Sequence, residues 1–209
     1  MSFKIGSSGG GAEFEKPALG AHIAVLADAV DIGLQKTPYT VESGPRKGEP
    51  KTVRQAVLFF ELNSRNQTGE FAGKRFIKTA TVTASLYNGS GAGSASKLFN
   101  IVTALNSGIA LTDEQIENEF DLSTMVGRCC MIYLQDSDDA KFRYISRVEA
   151  LQNQNDSIHV EEQYGKDNFH PWLVDKIAAR LDTPSTLPPP MADDADSEAS
   201  PYRDDELPL

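Results

Sequence analysis

The residues that could do acid–base, nucleophilic or metal chemistry are spaced in ways that argue against all three. His22, His159 and His170 have no neighbouring ligand residue at zinc spacing. Cys129 and Cys130 are adjacent, without the two-residue gap of a zinc knuckle, and two cysteines make no disulfide framework. They read as a buried strand pair in a reducing compartment. The run Gly89-Ser90-Gly91-Ala92-Gly93-Ser94 lacks the Gly-Lys-Ser/Thr ending of a Walker loop and does not match G-x-G-x-x-G, so it reads as a connector. Asp136, Asp138 and Asp139 fall in a turn-like run. The expectation is a chain that is not an enzyme and needs no metal or cofactor.

The remaining polar chemistry is cationic, and it is concentrated. The 209 residues carry 20 Lys plus Arg against 30 Asp plus Glu, a formal net charge of −10. Residues 36–97 nevertheless hold ten cations and four carboxylates, whereas residues 182–209 hold one cation and eight carboxylates. A local excess of Lys and Arg is what neutralises phosphates. Binding of single strands adds aromatic platforms on which bases stack. The candidates for a phosphate groove are Lys36, Arg46, Lys47, Lys51, Arg54, Lys74, Arg75 and Lys78, and those for stacking are Tyr39, Phe59, Phe71 and Tyr87. Nothing points to side-chain readout of bases, so weak sequence preference is expected.

These residues need elements to hold them. Residues 1–18 are rich in Gly and Ser and read as a flexible arm. Gly20 to Leu34 reads as a long strand, and residues 35–52, with three prolines and two glycines, as a cationic loop. Val53 to Leu62 is the strongest strand. Its row Arg54, Ala56, Leu58, Phe60, Leu62 should face the core, leaving Val53, Gln55, Val57, Phe59 and Glu61 outward. A polar turn at 63–69 leads to a third strand within Phe71 to Leu86. Ser94 is placed to cap a helix over about 95–106, ended by Gly108. Thr112 and Gln115 form a capping-box signature for a short helix containing Ile116 and Phe120. Val126 to Leu134 and Lys141 to Ala150 read as two more strands, and Pro171 to Leu181 as a short amphipathic helix. From residue 182 onward Pro and acidic residues give the composition of disorder.

Three strands, a helix and two strands is the order of an OB-fold, a five-stranded partly open barrel with its helix between strands three and four. The expected layout is an arm over 1–18, an OB-fold single-stranded-DNA-binding domain over 19–181 and a disordered acidic tail over 182–209. The chain ends Asp204-Asp205-Glu206-Leu207-Pro208-Leu209. This resembles the acidic tip of bacterial and phage single-stranded DNA-binding proteins, in which acids precede an apolar–Pro–apolar triplet. Here Leu209 stands where the family has an aromatic. The resemblance implies that these six residues recruit replication or recombination proteins. Asp31 to Gln35, the Phe59-Phe60-Glu61-Leu62 strand and Val126 to Cys129 resemble phage replication-module proteins with an OB-fold. That implies single-stranded DNA binding during phage replication or recombination. No apolar run of about 18 residues could span a bilayer, and the N-terminus lacks an apolar signal region. A cytoplasmic location is expected, the host cytoplasm if the chain is phage-encoded, with no membrane partner and with room for a homo-oligomer. The alternative from another class is a non-catalytic phage assembly or interaction module built on an OB-like barrel.

Overall fold

The computed structural model describes residues 15–87, 89, 94–118, 120–161 and 170–181. It is mainly β. One antiparallel sheet contains β1 (Gly20–Thr40), β2 (Pro50–Arg65), β3 (Arg75–Thr83), β4 (Cys129–Asp136) and β5 (Arg143–Ala150), in the order β3-β2-β1-β4-β5. The long β1 pairs with both β2 and β4 and forms the spine. The edge strands β3 and β5 approach each other but do not pair, so the sheet curls like a barrel and stays open along one seam. The helices are α1 (Lys97–Leu105) and α2 (Asp113–Glu117), both between β3 and β4, and α3 (Pro171–Ala178) after β5.

Each element has a local cause. β2 is an almost continuous apolar run from Ala56 to Leu62, the pattern of a strand buried on both faces. Its even row, Ala56, Leu58, Phe60 and Leu62, joins Ala24, Leu26, Ile132 and Leu134 in the main core. The apolar side of α1, with Leu98, Ile101, Val102 and Leu105, closes that core. Irregular register between Asp31 and Gly33 bends β1. Gly33 takes a φ of 73°, which glycine adopts without strain, and its N–H donates to Asp31 Oδ1 at 2.9 Å.

Several boundaries differ from the sequence reading. β1 and β2 run on into the supposed loop as an extended hairpin, because Val41 and Glu49 continue the ladder through Val41 N–H to Glu49 O at 2.9 Å. Ser96, not Ser94, caps α1, its hydroxyl accepting from Phe99 N–H at 3.2 Å. The capping box at Thr112 and Gln115 forms, but α2 stops at Glu117 and Phe120 lies beyond it. Of the two cysteines only Cys130 is fully buried, since neighbours on a strand face opposite sides. Burial, and then the adjacent Cys129, push the Cys130 thiol up to about 12. Residues 15–18, counted with the arm, are tied down. Glu15 accepts from the N–H groups of Gln67 and Thr68 at 2.6 and 3.0 Å, and Lys16 donates to Ala140 O at 3.0 Å.

The largest departure concerns the odd row of β2. Val57 and Phe59 do not face water. With Ile32 they form a second apolar cluster capped by the fully buried Leu173 of α3, and Val30, Trp172 and Ile177 pack around it. Burying Leu173 contributes about 1.5–3 kcal/mol toward holding α3 in place, with Trp172 and Ile177 packing beside it. Two hydrogen bonds add to it, from the Gln35 side chain (Nε2) to Lys176 O at 3.0 Å and from Leu181 N–H to Leu34 O at 2.9 Å. Among the described residues no helix is long and apolar enough to cross a membrane.

Candidate nucleic-acid interface

The twelve residues singled out from sequence do not converge on one spot. β2 has 16 residues, and at roughly 3.3 Å per residue it is about 50 Å long. Lys36, Tyr39, Arg46, Lys47, Lys51 and Arg54 lie on or beside the β1–β2 hairpin at one end. Phe71, Lys74 and Arg75 lie in or beside the β2–β3 turn at the other. Tyr87 returns to the first end: Thr83 pairs with Gln55, Ala84 N–H donates to Arg54 O at 2.7 Å, and Tyr87 lies just beyond.

Three candidates are spent on the fold. Phe59 is only 8% exposed, beneath α3, and offers no face to a base. Arg75 is drawn into an ion-pair network around Glu61, which is fully buried. Its guanidinium lies 3.6 Å from Glu61 and 3.0 Å from Glu161, and it donates to His159 O at 2.6 Å. Glu161 also pairs with Arg65, and its N–H donates to Glu61 Oε2 at 2.8 Å. The hydrogen bond from Arg65, opposed by burial and helped by the charges of Arg75 and Arg65, holds the Glu161 carboxyl below the usual carboxylate range. Lys78 stands opposite Phe60 on the core-facing row, whereas Arg75 stands on the outer one. The two cannot line one groove.

The hairpin sorts further by compensation. Arg46 is paired with Glu49 at 2.8 Å, and Arg54 with Asp31. Partial burial opposes the charge on Asp31, but Arg54, the Gly33 N–H and Arg180 outweigh it and hold the carboxyl below its ordinary value. Lys36 and Lys47 are exposed and, among the described residues, have no anionic partner. Tyr39, 40% exposed, lies between them on the same hairpin.

Sequence reasoning missed two cations. The Gln35–Lys176 and Leu34–Leu181 bonds set the C-terminal end of α3 against the base of the hairpin, which brings Lys176 and Arg180 to it. Lys176 has no anionic partner among the described residues, whereas Arg180 acts on Asp31, whose carboxyl it helps to hold below its ordinary value. The charge segment 36–97 excluded them; the amphipathic pattern of α3 was the only hint of where they would dock. The surface so assembled holds Lys36, Lys47 and Lys176 without an anionic partner among the described residues, with Lys51, Arg180 and the Arg54–Asp31 pair beside them. Phe71 and Lys74 are exposed but lie a strand's length away. Asp204 to Leu209 lie outside the described residues. No group of three or more His, Cys, Asp or Glu gathers as a metal site among the described residues.

No protein-family model matches the chain, and neither a curated protein nor a solved structure gives a match.

Proposed function

We propose that the open five-stranded sheet is an OB-fold and that the chain binds single-stranded DNA, without sequence preference, in phage replication or recombination. The observation carrying this reading is the set of cations on one hairpin and at its base, with Lys36 and Lys47 on the β1–β2 hairpin beside the exposed Tyr39 and with Lys176 and Arg180 brought to its base by α3. Unpaired exposed cations release counterions when they meet phosphates, whereas cations already held by carboxylates gain less. Tyr39 and Tyr87 are the exposed aromatics at this end and the stacking platforms of the reading. Backbone contacts and stacking distinguish no base from another, which accounts for the absence of sequence preference. In this reading the terminal Asp204-Asp205-Glu206-Leu207-Pro208-Leu209 recruits replication proteins.

The deciding experiment is a titration of the full chain with single-stranded DNA, duplex DNA and RNA at two salt concentrations. Tightest binding to the DNA single strand, weakening steeply with salt, supports the reading. No binding to oligo-dT at low salt removes it and leaves the assembly or interaction module.

A further inference from the structure

β5 is an edge strand, and a helix stands beside its free side. In the order β3-β2-β1-β4-β5 its ladder partner is β4, and among the described residues no backbone hydrogen bond leaves Arg143–Ala150 on the other side. A groove of about 580 Å³ runs there, between α1 and β5. Its strand wall is six consecutive residues, 145–150. Successive side chains of a strand point to opposite faces, so a wall of consecutive residues is the backbone edge and not one face. The helix wall is a stripe at three- and four-residue spacing: Lys97, Asn100, Ile101, Ala104 and, past the helix end, Gly108. Ala104 and Gly108 leave open the space that larger side chains would fill. At Gly108 the two walls meet, since a Cβ there would stand 3.4 Å from Ala150 Cβ. Thr103, also in the lining, has its Oγ1 buried without a hydrogen-bond partner among the described residues. The groove thus offers an unused strand edge and an orphaned hydroxyl, both polar groups that a ligand backbone can satisfy.

We propose that this groove takes an extended peptide of a partner protein, added to β5 as a sixth strand, with a carboxylate at the Lys97 end. Main-chain hydrogen bonds to the β5 edge supply the attachment, and alternate side chains of the peptide enter the space over Ile101 and Ala104. Six residues of β5 make the groove roughly 20 Å long, the length of a six-residue strand. Charge selects an acidic end. Arg147 is neutralised by Glu149 at 3.2 Å and lies over the Tyr133 ring, 4.1 Å from its centre. Lys97 is the unbalanced charge of the lining: it has no anionic partner among the described residues, and the first turn of α1 carries no acid. The occupant is a free strand and not the β5 of a second copy, because that copy would bring its own α1 to the same edge. Nothing in the groove depends on DNA binding.

The test uses the full chain and two pools of synthetic hexapeptides in which apolar residues alternate with mixed polar ones. One pool ends in Asp or Glu, the other in Lys. Binding is read by fluorescence anisotropy. The acid-ended pool should bind more tightly by about 2–5-fold, the worth of one exposed ion pair, and Lys97→Glu should invert that preference. Asn100→Trp, at an exposed position on the helix wall, should fill the groove and weaken both pools by about tenfold. Tm should change little in either variant. Amide hydrogen exchange on the natural chain needs no variant: the acid-ended pool should slow exchange along β5. No binding of either pool, an uninverted preference in Lys97→Glu, an Asn100→Trp chain that binds as the natural one does, or slowing that leaves β5 untouched overturns the proposal. Displacement of the pools by oligo-dT makes nucleic acid the occupant, and a concentration-dependent dimer that Asn100→Trp dissolves makes it a second copy; each overturns the peptide.

Discussion

The four cations of this surface that make no side-chain ion pair allow a quantitative forecast. Lys36 and Lys47 sit on the hairpin, Lys176 on the last turn of α3 and Arg180 just beyond it. Each pair is replaced by alanine, singly and together. For a single strand each neutralised phosphate contributes about −0.7 to the slope of log K against log salt. Either pair should therefore flatten the slope by about 1.4 and both pairs by about 2.8. If affinity at 1 M salt is unchanged, the loss at 0.1 M salt is about 25-fold for one pair and about 600-fold for both. The assay is fluorescence anisotropy of labelled oligo-dT over a series of salt concentrations. Arg46→Ala with Glu49→Ala is the control, since it removes a pair already neutral in itself and should leave the slope in place. All of these groups are at least partly exposed, so Tm should move little. A flattened slope from the hairpin pair but none from the α3 pair would take α3 out of the surface. No flattening from either would refute the whole assignment.

Other perturbations separate fold from binding. Phe59→Ala should cost about 3–5 kcal/mol of stability by denaturant titration, with no specific loss of oligonucleotide affinity, because the ring is packed under Leu173. Loss of affinity at unchanged stability would instead make it a stacking residue. Arg75→Met should destabilise by about 3–5 kcal/mol because it removes a cation from beside the buried Glu61; a Glu61→Gln plus Arg75→Met chain should recover much of that. Asp31 and Glu161 have carboxyls held below their ordinary values of 3.8 and 4.5, so their contribution is complete above those values. It is lost as pH falls through the lower folded-state values, and acid unfolding of Glu161→Gln should be correspondingly less steep. Iodoacetamide should modify Cys129 and spare Cys130 in the folded chain, and reach both in urea, as peptide mass mapping would show.

The strands were legible because their cause is local. From Ala56 to Leu62 the even row of β2 does face the core, although Arg54, expected in the same row, is exposed and paired with Asp31, and all five strands occur where branched and aromatic residues cluster. The capping box of α2 is a four-residue signal and was read as such. What escaped depended on partners far away in the chain. Val57 and Phe59 make the second row of β2 apolar too, and Leu173 and Ile177 make α3 amphipathic. Each pattern was visible, but nothing local says that one covers the other. Glu61 looked like an outward residue of an alternating strand. Its burial follows from Arg75, Glu161 and the segment that carries Glu161 to the β2–β3 pair. For the candidate surface, Lys36, Tyr39, Arg46, Lys47, Lys51 and Arg54 were found together because they are near in sequence. Lys176 and Arg180 join them only through tertiary contact. Phe71, Lys74 and Arg75 were grouped with them by sequence and are separated by the length of β2.

The position of α3 at the end of the described chain also bears on how the protein is made. Leu173 follows Phe59 by 114 residues. At roughly 5–20 residues per second, translation leaves about 6–23 s between the two. During that interval a β1–β2–β3 meander can form on the ribosome with Ile32, Val57 and Phe59 bare on one side. β1 meanwhile lacks β4, its second neighbour, which begins only at Cys129. A nascent sheet with an apolar face and an open edge is a site for chaperone capture or aggregation. Chains released before α3 emerges should therefore be the insoluble ones.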